Sequence, residues 1–163
     1  MRLKIATCQF PISGKISRNL GYVLRQMQAA RRRGAVIAHF PETALSGYAG
    51  FDLDSAEDLD WGQLGAATRE VMALARTLGV WVVLGSSHRL TGRHKPHNSV
   101  YVIDALGRIV TRYDKMFCTG NPAGTGGDLR NYSPGNEFCT FTCRGVRCGV
   151  LICHDVRYPE LAR

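Results

Sequence analysis

The chain has 163 residues, 45% of them apolar, and its 21 basic and 13 acidic side chains give a net charge of +8. This composition predicts one globular domain with a buried core and argues against extended disorder. No apolar run approaches the roughly 20 residues of a membrane-spanning helix, and Lys4 and Gln9 interrupt the N-terminal apolar stretch, which is unlike a signal peptide. We therefore expect a cytoplasmic protein with reduced cysteines and no membrane partner.

The predicted elements follow from apolar periodicity, with glycine and proline marking their ends. Ser17 is positioned to cap the first helix, which Gly34 would end. The segment 118–135 is rich in glycine and lacks the Gly-Lys-Ser/Thr pattern of a phosphate-binding loop, so we expect a structured surface loop there. In chain order, the predicted elements are a strand at 3–9, a helix at 17–33, a strand at 35–40, a helix at 62–78, a strand at 80–85, a hairpin at 98–103 and 108–113, a hairpin at 138–143 and 146–152, and the start of a helix at 158–161.

This order of elements predicts an α/β fold in which helices cover a sheet. The two consecutive hairpins predict that the sheet is mixed. No internal repeat or linker is visible, so we expect residues 1–163 to form one domain.

The basic residues are densest at Arg31 to Arg33, directly before Gly34. Arginines in the last turn of a helix are favoured by the negative end of the helix dipole. No aromatic-rich basic stretch accompanies this run, so we expect no nucleic-acid partner. A basic nucleic-acid module stays a minor alternative, and it would bind with strong salt dependence.

The cysteines and histidines do not form a recognisable metal pattern. Cys139 and Cys143 fall in one strand-like run and Cys148 in the next, whereas zinc ligands usually come in close pairs held by turns. Buried cysteines are common core residues, which is the alternative that we prefer. His94 and His97 lie in a polar loop with no third ligand in sight. We therefore expect no metal site. The six cysteines are Cys8, Cys118, Cys139, Cys143, Cys148 and Cys153.

Cys153 is the strongest candidate for a catalytic nucleophile. It follows the apolar run 149–152 and precedes a predicted helix, and a residue on such a strand-to-helix turn is pushed out toward substrate. Backbone N–H groups at the helix start, including that of His154, would favour the thiolate, lower the pKa of Cys153 and donate to an oxyanion. The alternative is that Cys153 packs in the core.

Two further polar residues follow predicted strands. Glu42 comes just after the strand at 35–40, and its partly desolvated carboxylate suits a general base. Lys115 follows the strand at 108–113, where its charge would stabilise a tetrahedral intermediate. A solvated Lys115, or one paired with Asp114, is the structural alternative. In α/β sheets, active sites gather at the carboxyl ends of strands.

His154 and Asp155 invite a Cys-His-Asp arrangement with Cys153. Adjacent residues on a turn point apart, and a nucleophile and its base are usually distant in sequence and close in space. We therefore consider this arrangement less favourable than one built from Glu42 and Lys115.

At these positions the chain resembles the nitrilase superfamily of carbon–nitrogen hydrolases. The glutamate motif is matched by Phe40 to Tyr48, the lysine motif by Tyr113 to Phe117, and the cysteine motif by Gly149 to Leu161. The opening Ala6 to Phe10 and the turn Tyr132 to Gly135 also look like family landmarks. The resemblance covers the whole chain.

The resemblance implies an αββα sandwich that forms homo-oligomers, uses no metal and no organic cofactor, and acts on small amides and water. It implies that Glu42 is the general base, that Lys115 stabilises the oxyanion and that Cys153 attacks to form a thioester. Many members place a second glutamate shortly before the Ser-Pro-Gly turn, and the matching position is Asp128, a candidate supporting acid.

The implied reaction is hydrolysis of a small linear amide or carbamoyl compound. Nitrile hydrolysis, amide acyl transfer by the same triad and a non-catalytic fragment are the alternatives. The resemblance also implies a domain longer than 163 residues. We therefore expect the chain to be incomplete at its C-terminus, with further strands, an outer helix layer and part of the substrate pocket supplied by residues beyond Arg163.

Overall fold

The computed structural model describes residues 2–162. They form two α-helices, a five-stranded sheet and a two-stranded sheet, joined by loops and short 3-10 turns. Among the described helices, none is long and apolar enough to cross a membrane. The elements are β1 (Ile5–Thr7), α1 (Ile16–Arg32), β2 (Ile37–His39), α2 (Trp61–Leu78), β3 (Trp81–His88), β4 (His97–Ile103), β5 (Ile109–Asp114), β6 (Thr140–Cys143) and β7 (Val146–Gly149), with 3-10 turns at Ala56–Asp58, Asp128–Arg130, Cys153–Arg157 and Pro159–Leu161.

The large sheet is mixed, as the sequence predicted, and its strands lie side by side in chain order. β1, β2 and β3 are parallel, while β4 is antiparallel to both β3 and β5. β5 therefore runs in the same direction as β3. The carboxyl ends of β2, β3 and β5 consequently meet at one edge of the sheet, and the residues that follow these strands are brought together there.

The two helices cover one face of the large sheet. Val23 and Met27 of α1 and Val71 of α2 are fully buried in the core that the helices form with this face. Each such side chain contributes about 1.5–3 kcal/mol when it is buried. α2 begins where the Asp60 side chain accepts from the Gln63 N–H at 2.9 Å and ends at Gly79, whose φ is +62°.

The predicted cap at Ser17 is wrong. α1 begins one residue earlier, at Ile16, and Lys15 occupies the capping position without a side-chain hydrogen bond. Ile16 is buried in the helix–sheet core, and a helix that already begins at Ile16 places its side chain there. Ser17 is exposed in the first turn instead.

The second hairpin does not extend the large sheet. β6 and β7 pair only with each other and form a separate sheet over the face that the helices leave open. Phe141 stacks on Trp81 with ring centroids 5.7 Å apart, and Cys139 and Cys143 are buried in the same layer. Because these side chains are buried against the large sheet, the hairpin packs on the face of that sheet and does not pair along its edge. The described residues thus form the helix, sheet and sheet layers of an α/β sandwich.

Candidate active site

Lys115 lies at the centre of a polar cluster at the carboxyl edge of the large sheet. It directly follows β5, and its side chain is only 1% exposed. The Nζ atom donates to Glu42 Oε1 at 2.7 Å and to Asp128 Oδ2 at 2.9 Å. Asp114 instead binds Arg112, with Arg112 Nε 2.8 Å from Asp114 Oδ1. Both structural alternatives for Lys115, a solvated ammonium and a pair with Asp114, are therefore wrong.

Burial and charge act in opposite directions on this lysine. Burial alone would lower the pKa of Lys115 because it disfavours the ammonium. The hydrogen bonds and negative charges of Glu42 and Asp128 outweigh burial and raise the pKa well above its usual value. The lysine is consequently a permanent cation in this site at any physiological pH.

The loop that carries Glu42 is packed directly against β3. Phe40 N donates to Val83 O at 2.9 Å, and Leu45 N donates to Gly85 O at 3.0 Å. A Cβ atom at Gly85 would lie 2.0 Å from Pro41 O, so no side chain fits there. Glycine in β3 is thus what allows the backbone around Glu42 to approach the sheet.

Asn98 is a site residue that the sequence did not reveal. Its Nδ2 donates to Glu42 Oε1 at 2.7 Å from a fully buried position in β4. The Oδ1 atom of Asn98 is buried without a partner among residues 2–162. Because β4 begins at the edge where Glu42 and Lys115 lie, sheet topology is the signal that identifies Asn98.

The Asp128 carboxylate is fully buried and accepts three hydrogen bonds, one of them from Lys115. Tyr48 Oη donates to Oδ1, and Thr119 N donates to Oδ2 at 2.8 Å. Burial alone would raise the pKa of Asp128, but the hydrogen bonds from Tyr48, Lys115 and Thr119 outweigh it and lower the pKa. The aspartate therefore stays ionised opposite Lys115. Tyr48 lies in the glutamate motif, but no local pattern distinguished it as a partner of Asp128.

Cys153 occupies a strained and exposed turn at the same site. Its φ is +46°, an uncommon conformation for a residue with a side chain. The charges of Glu42, Lys115 and Asp128 all act on its thiol. The prediction that Cys153 is pushed outward is confirmed by its exposure, and the core-packing alternative is wrong.

The segment after Cys153 differs from the predicted helix. β7 ends at Gly149, Cys153–Arg157 is a 3-10 turn, and the helix predicted to begin at Tyr158 is a second short 3-10 turn at Pro159–Leu161. The backbone N–H of His154 lies in the first turn, where such groups lack intrahelical acceptors. Its predicted role as an oxyanion donor stays a prediction.

The predicted lowering of the pKa of Cys153 is also wrong. Partial burial and the negative charge of Glu42 raise the pKa of this thiol above its usual value, although Lys115 opposes the shift. A short 3-10 turn lacks the aligned peptide dipoles of an α-helix, so it offers the thiolate little compensation. The thiol is therefore protonated at neutral pH and depends on a base for activation.

Asp155 and His154 have partners other than Cys153. Asp155 is fully buried, accepting from Tyr113 Oη at 2.8 Å and from Phe117 N at 2.8 Å. His154 Nε2 lies 3.2 Å from Tyr158 Oη. Asp155 thus fixes the turn to the end of β5, and the Cys-His-Asp arrangement is not formed.

No group of three or more metal-ligating side chains converges within residues 2–162. His97, which was predicted in a loop, begins β4 instead, and its Nδ1 lies 2.7 Å from the backbone carbonyl oxygen of Ser133. His94 is exposed. The two histidines therefore do not point at a common site.

Comparisons with known proteins agree with this architecture. The carbon-nitrogen hydrolase family model matches residues 4–163. The chain is 34% identical over 126 residues to an (R)-stereoselective amidase of a Pseudomonas species, covering 76% of this chain and 41% of the relative. It is 28% identical over 164 residues to the omega-amidase of Homo sapiens, covering 98% of this chain and 58% of that protein.

A solved structure shares the same fold. A solved amidase from Nesterenkonia sp. superposes with a TM-score of 0.85 at 21% identity, covering 98% of this chain and 58% of that chain. The chain therefore spans only part of the length of the relatives it matches, from 41% to 58%. Because the family model extends from residue 4 to residue 163, the chain belongs to the carbon-nitrogen hydrolase family of the nitrilase superfamily.

Proposed function

We propose that this chain forms part of a thiol amidohydrolase that cleaves the carbon–nitrogen bond of a small linear amide or carbamoyl compound. The observation that carries the proposal is the buried Lys115 ammonium, bonded to Glu42 at 2.7 Å and to Asp128 at 2.9 Å, beside the exposed Cys153. A fixed cation, a carboxylate base and a thiol in one site are the components of nucleophilic acyl transfer.

The first half of the reaction forms a thioester. Glu42 removes the proton from Cys153 Sγ, and the thiolate attacks the amide carbonyl carbon. The negative charge that develops on the carbonyl oxygen is stabilised by Lys115 and by the backbone N–H of His154. As the carbon–nitrogen bond breaks, protonated Glu42 returns its proton to the leaving nitrogen. The base is needed because the pKa of Cys153 is raised.

The second half releases the acid. Glu42 removes a proton from water, and the hydroxide attacks the thioester carbonyl, again with Lys115 beside the oxyanion. The carbon–sulfur bond breaks, and the Cys153 thiolate recovers the proton from Glu42. The net reaction consumes one amide and one water and produces one carboxylic acid and one amine or ammonia.

Two buried residues position Lys115 and Glu42. Asp128 holds Lys115 from the side opposite Glu42 and forms its own bonds to Tyr48 and Thr119. Asn98 donates to Glu42 Oε1 at 2.7 Å and so limits rotation of the carboxylate. Such preorganisation is worth more than the net energy of the individual hydrogen bonds.

The relatives support the same reaction class. The amidase and omega-amidase names denote cleavage of amide bonds. A variant of the Nesterenkonia amidase carries the acetamide moiety of fluoroacetamide on its active-site cysteine. By this analogy fluoroacetamide is a suitable probe for Cys153.

We further propose that residues 1–163 belong to a single carbon-nitrogen hydrolase domain of a cytoplasmic homo-oligomer. The family match, which runs without interruption from residue 4 to residue 163, supports the single domain.

The test combines covalent labelling with product analysis. Fluoroacetamide should label Cys153 ahead of the other cysteines, as located by peptide mass spectrometry, and any ammonia released from small amides should disappear in Cys153→Ala. Persistence of ammonia release in that variant would contradict the proposal.

The same samples separate the alternatives. Nitrile hydrolysis predicts acid from nitriles, and acyl transfer predicts hydroxamate when hydroxylamine is present. Labelling of Cys153 no faster than that of a denatured control would favour the non-catalytic fragment.

A further inference from the structure

A cavity at the carboxyl edge of the large sheet, apart from the triad, has a strongly basic lining. It is open to solvent on one side, has a volume of about 450 Å³ and is formed by the loop between β3 and β4 and by the turns Ala56–Asp58 and Asp128–Arg130. None of the residues that contact Lys115 lines it. Its charged lining consists of four cationic side chains and one carboxylate, which are Arg89, Arg93, Lys95, Arg130 and Glu57.

None of these four cations forms an ion pair with a described carboxylate of the chain. Within residues 2–162, the described ion pairs of lysine and arginine involve only Arg108, Arg112 and Lys115. Like charges that converge on one cavity repel each other, and the repulsion is relieved when an anion enters. The charge arrangement therefore favours an anionic occupant over a neutral one.

The cavity also has fixed structural elements. Lys95 Nζ donates to Leu129 O at 2.7 Å, which ties the β3–β4 loop to the turn Asp128–Arg130. Arg89 lies over the Trp61 ring, with its central carbon 6.0 Å from the ring centroid. Asn131 is buried, and its Oδ1 accepts from Ala56 N at 3.4 Å, which ties the turn Ala56–Asp58 to the segment after Arg130.

We propose that this cavity is a binding site for a small anion that carries a phosphate or carboxylate group, separate from the triad. Arginine suits this role because its planar guanidinium donates two parallel hydrogen bonds to either group. The site is joined to the active site by one turn: Asp128 begins the turn that holds Lys115, and Arg130 ends it. Anion binding should thus also brace the loop that contains Asp128.

The test is isothermal titration of the chain with sodium phosphate and, separately, sodium succinate, both at constant ionic strength. We expect saturable binding of at least one anion. The double substitution Arg93→Gln with Arg130→Gln should weaken it about tenfold or more, because two charge-assisted contacts are lost. The matched control, Arg31→Gln with Arg32→Gln, removes the same charge from the exposed end of α1 and should leave affinity unchanged.

The outcomes are distinguishable. Binding of phosphate alone identifies a phosphate group as the ligand chemistry, and binding of succinate alone identifies a carboxylate. Urea unfolding of both double variants checks their folding, and the single substitution Arg93→Gln, at an exposed position, provides a milder test. Absence of saturable binding to the wild type, or equal loss in both double variants, overturns the proposal. Neither result depends on amide hydrolysis.

Discussion

Lys115 and Asp128 form an ion pair of 2.9 Å in which both side chains are almost wholly withdrawn from solvent. The substitution Asp128→Asn leaves the buried ammonium with Glu42 as its single charged partner. We expect a loss of about 3 kcal/mol in the free energy of unfolding, because removal of one member of a buried pair leaves a poorly compensated charge. Urea denaturation measures this loss.

The control for this prediction is Asp54→Asn at an exposed position, which should change the free energy of unfolding by about 0.5 kcal/mol or less. The substitution Asp128→Glu keeps the charge and tests the length of the side chain. A loss for Asp128→Asn no larger than that of the control would contradict a stabilising role for the pair.

Asp128 should also account for part of the pH dependence of stability. Its pKa is lowered in the folded chain, chiefly because the bonds from Tyr48 and Lys115 outweigh burial. A lowered pKa contributes stability above the unfolded aspartate pKa of about 3.9, and this contribution is lost as the pH falls through the folded pKa. At acidic pH, the free energy of unfolding of Asp128→Asn should therefore change less with pH than that of the wild type. Parallel profiles for the two proteins would count against this assignment.

Glu42 should control the ionisation of Cys153. Its negative charge, together with partial burial, raises the pKa of the thiol, and Lys115 opposes it. In Glu42→Gln the midpoint of iodoacetamide labelling of Cys153 should move to lower pH, and in Lys115→Met it should move to higher pH. Glu137→Gln, at an exposed position, is the matched control and should leave the midpoint in place. A midpoint in Glu42→Gln at or above the wild-type value would exclude this coupling.

Gly85 should be intolerant of any side chain. A Cβ atom there would lie 2.0 Å from Pro41 O and 2.7 Å from Thr43 N, so alanine must displace the loop that carries Glu42. We expect Gly85→Ala to cost about 3 kcal/mol or more in the free energy of unfolding. Gly21→Ala, in the middle of α1, meets no atom closer than 3.4 Å and should instead stabilise the chain by up to about 1 kcal/mol. Similar unfolding midpoints for the two variants would show that the loop carrying Glu42 moves to accommodate the added methyl group at little cost.

The turn at Cys153 should be more stable without a side chain. Because its φ is +46°, glycine adopts this conformation without the steric cost that alanine retains. We expect Cys153→Gly to exceed Cys153→Ala by about 1 kcal/mol in the free energy of unfolding, with both lacking the thiol. Equal stability of the two variants would mean that the turn relaxes when the cysteine is removed.

Much of this architecture was visible in the sequence because it depends on local patterns. The apolar periodicity predicted both helices and the seven strands of the described residues, although several of the observed strands are shorter than predicted. The ends of the predicted strands marked Glu42 and Lys115, since residues that follow strands of one direction meet at one edge of a sheet. Cys153 was marked by its position on the turn that follows the second hairpin. The family motifs added Asp128.

The tertiary structure decided the chemical environment of these residues. Whether β6 and β7 extend the large sheet or cover it depends on burial of Phe141 against Trp81, a contact between positions far apart in the chain. The same is true of Lys115, whose local sequence is equally compatible with a solvated side chain. Lys115 is buried between Glu42 and Asp128 through contacts between residues that are tens of positions apart in the chain. The same contacts place the negative charge of Glu42 and the positive charge of Lys115 near Cys153, where they shift its pKa in opposite directions. Local sequence patterns determine where side chains fall along an element, whereas desolvation and charge pairing depend on which distant segments the folded chain brings together.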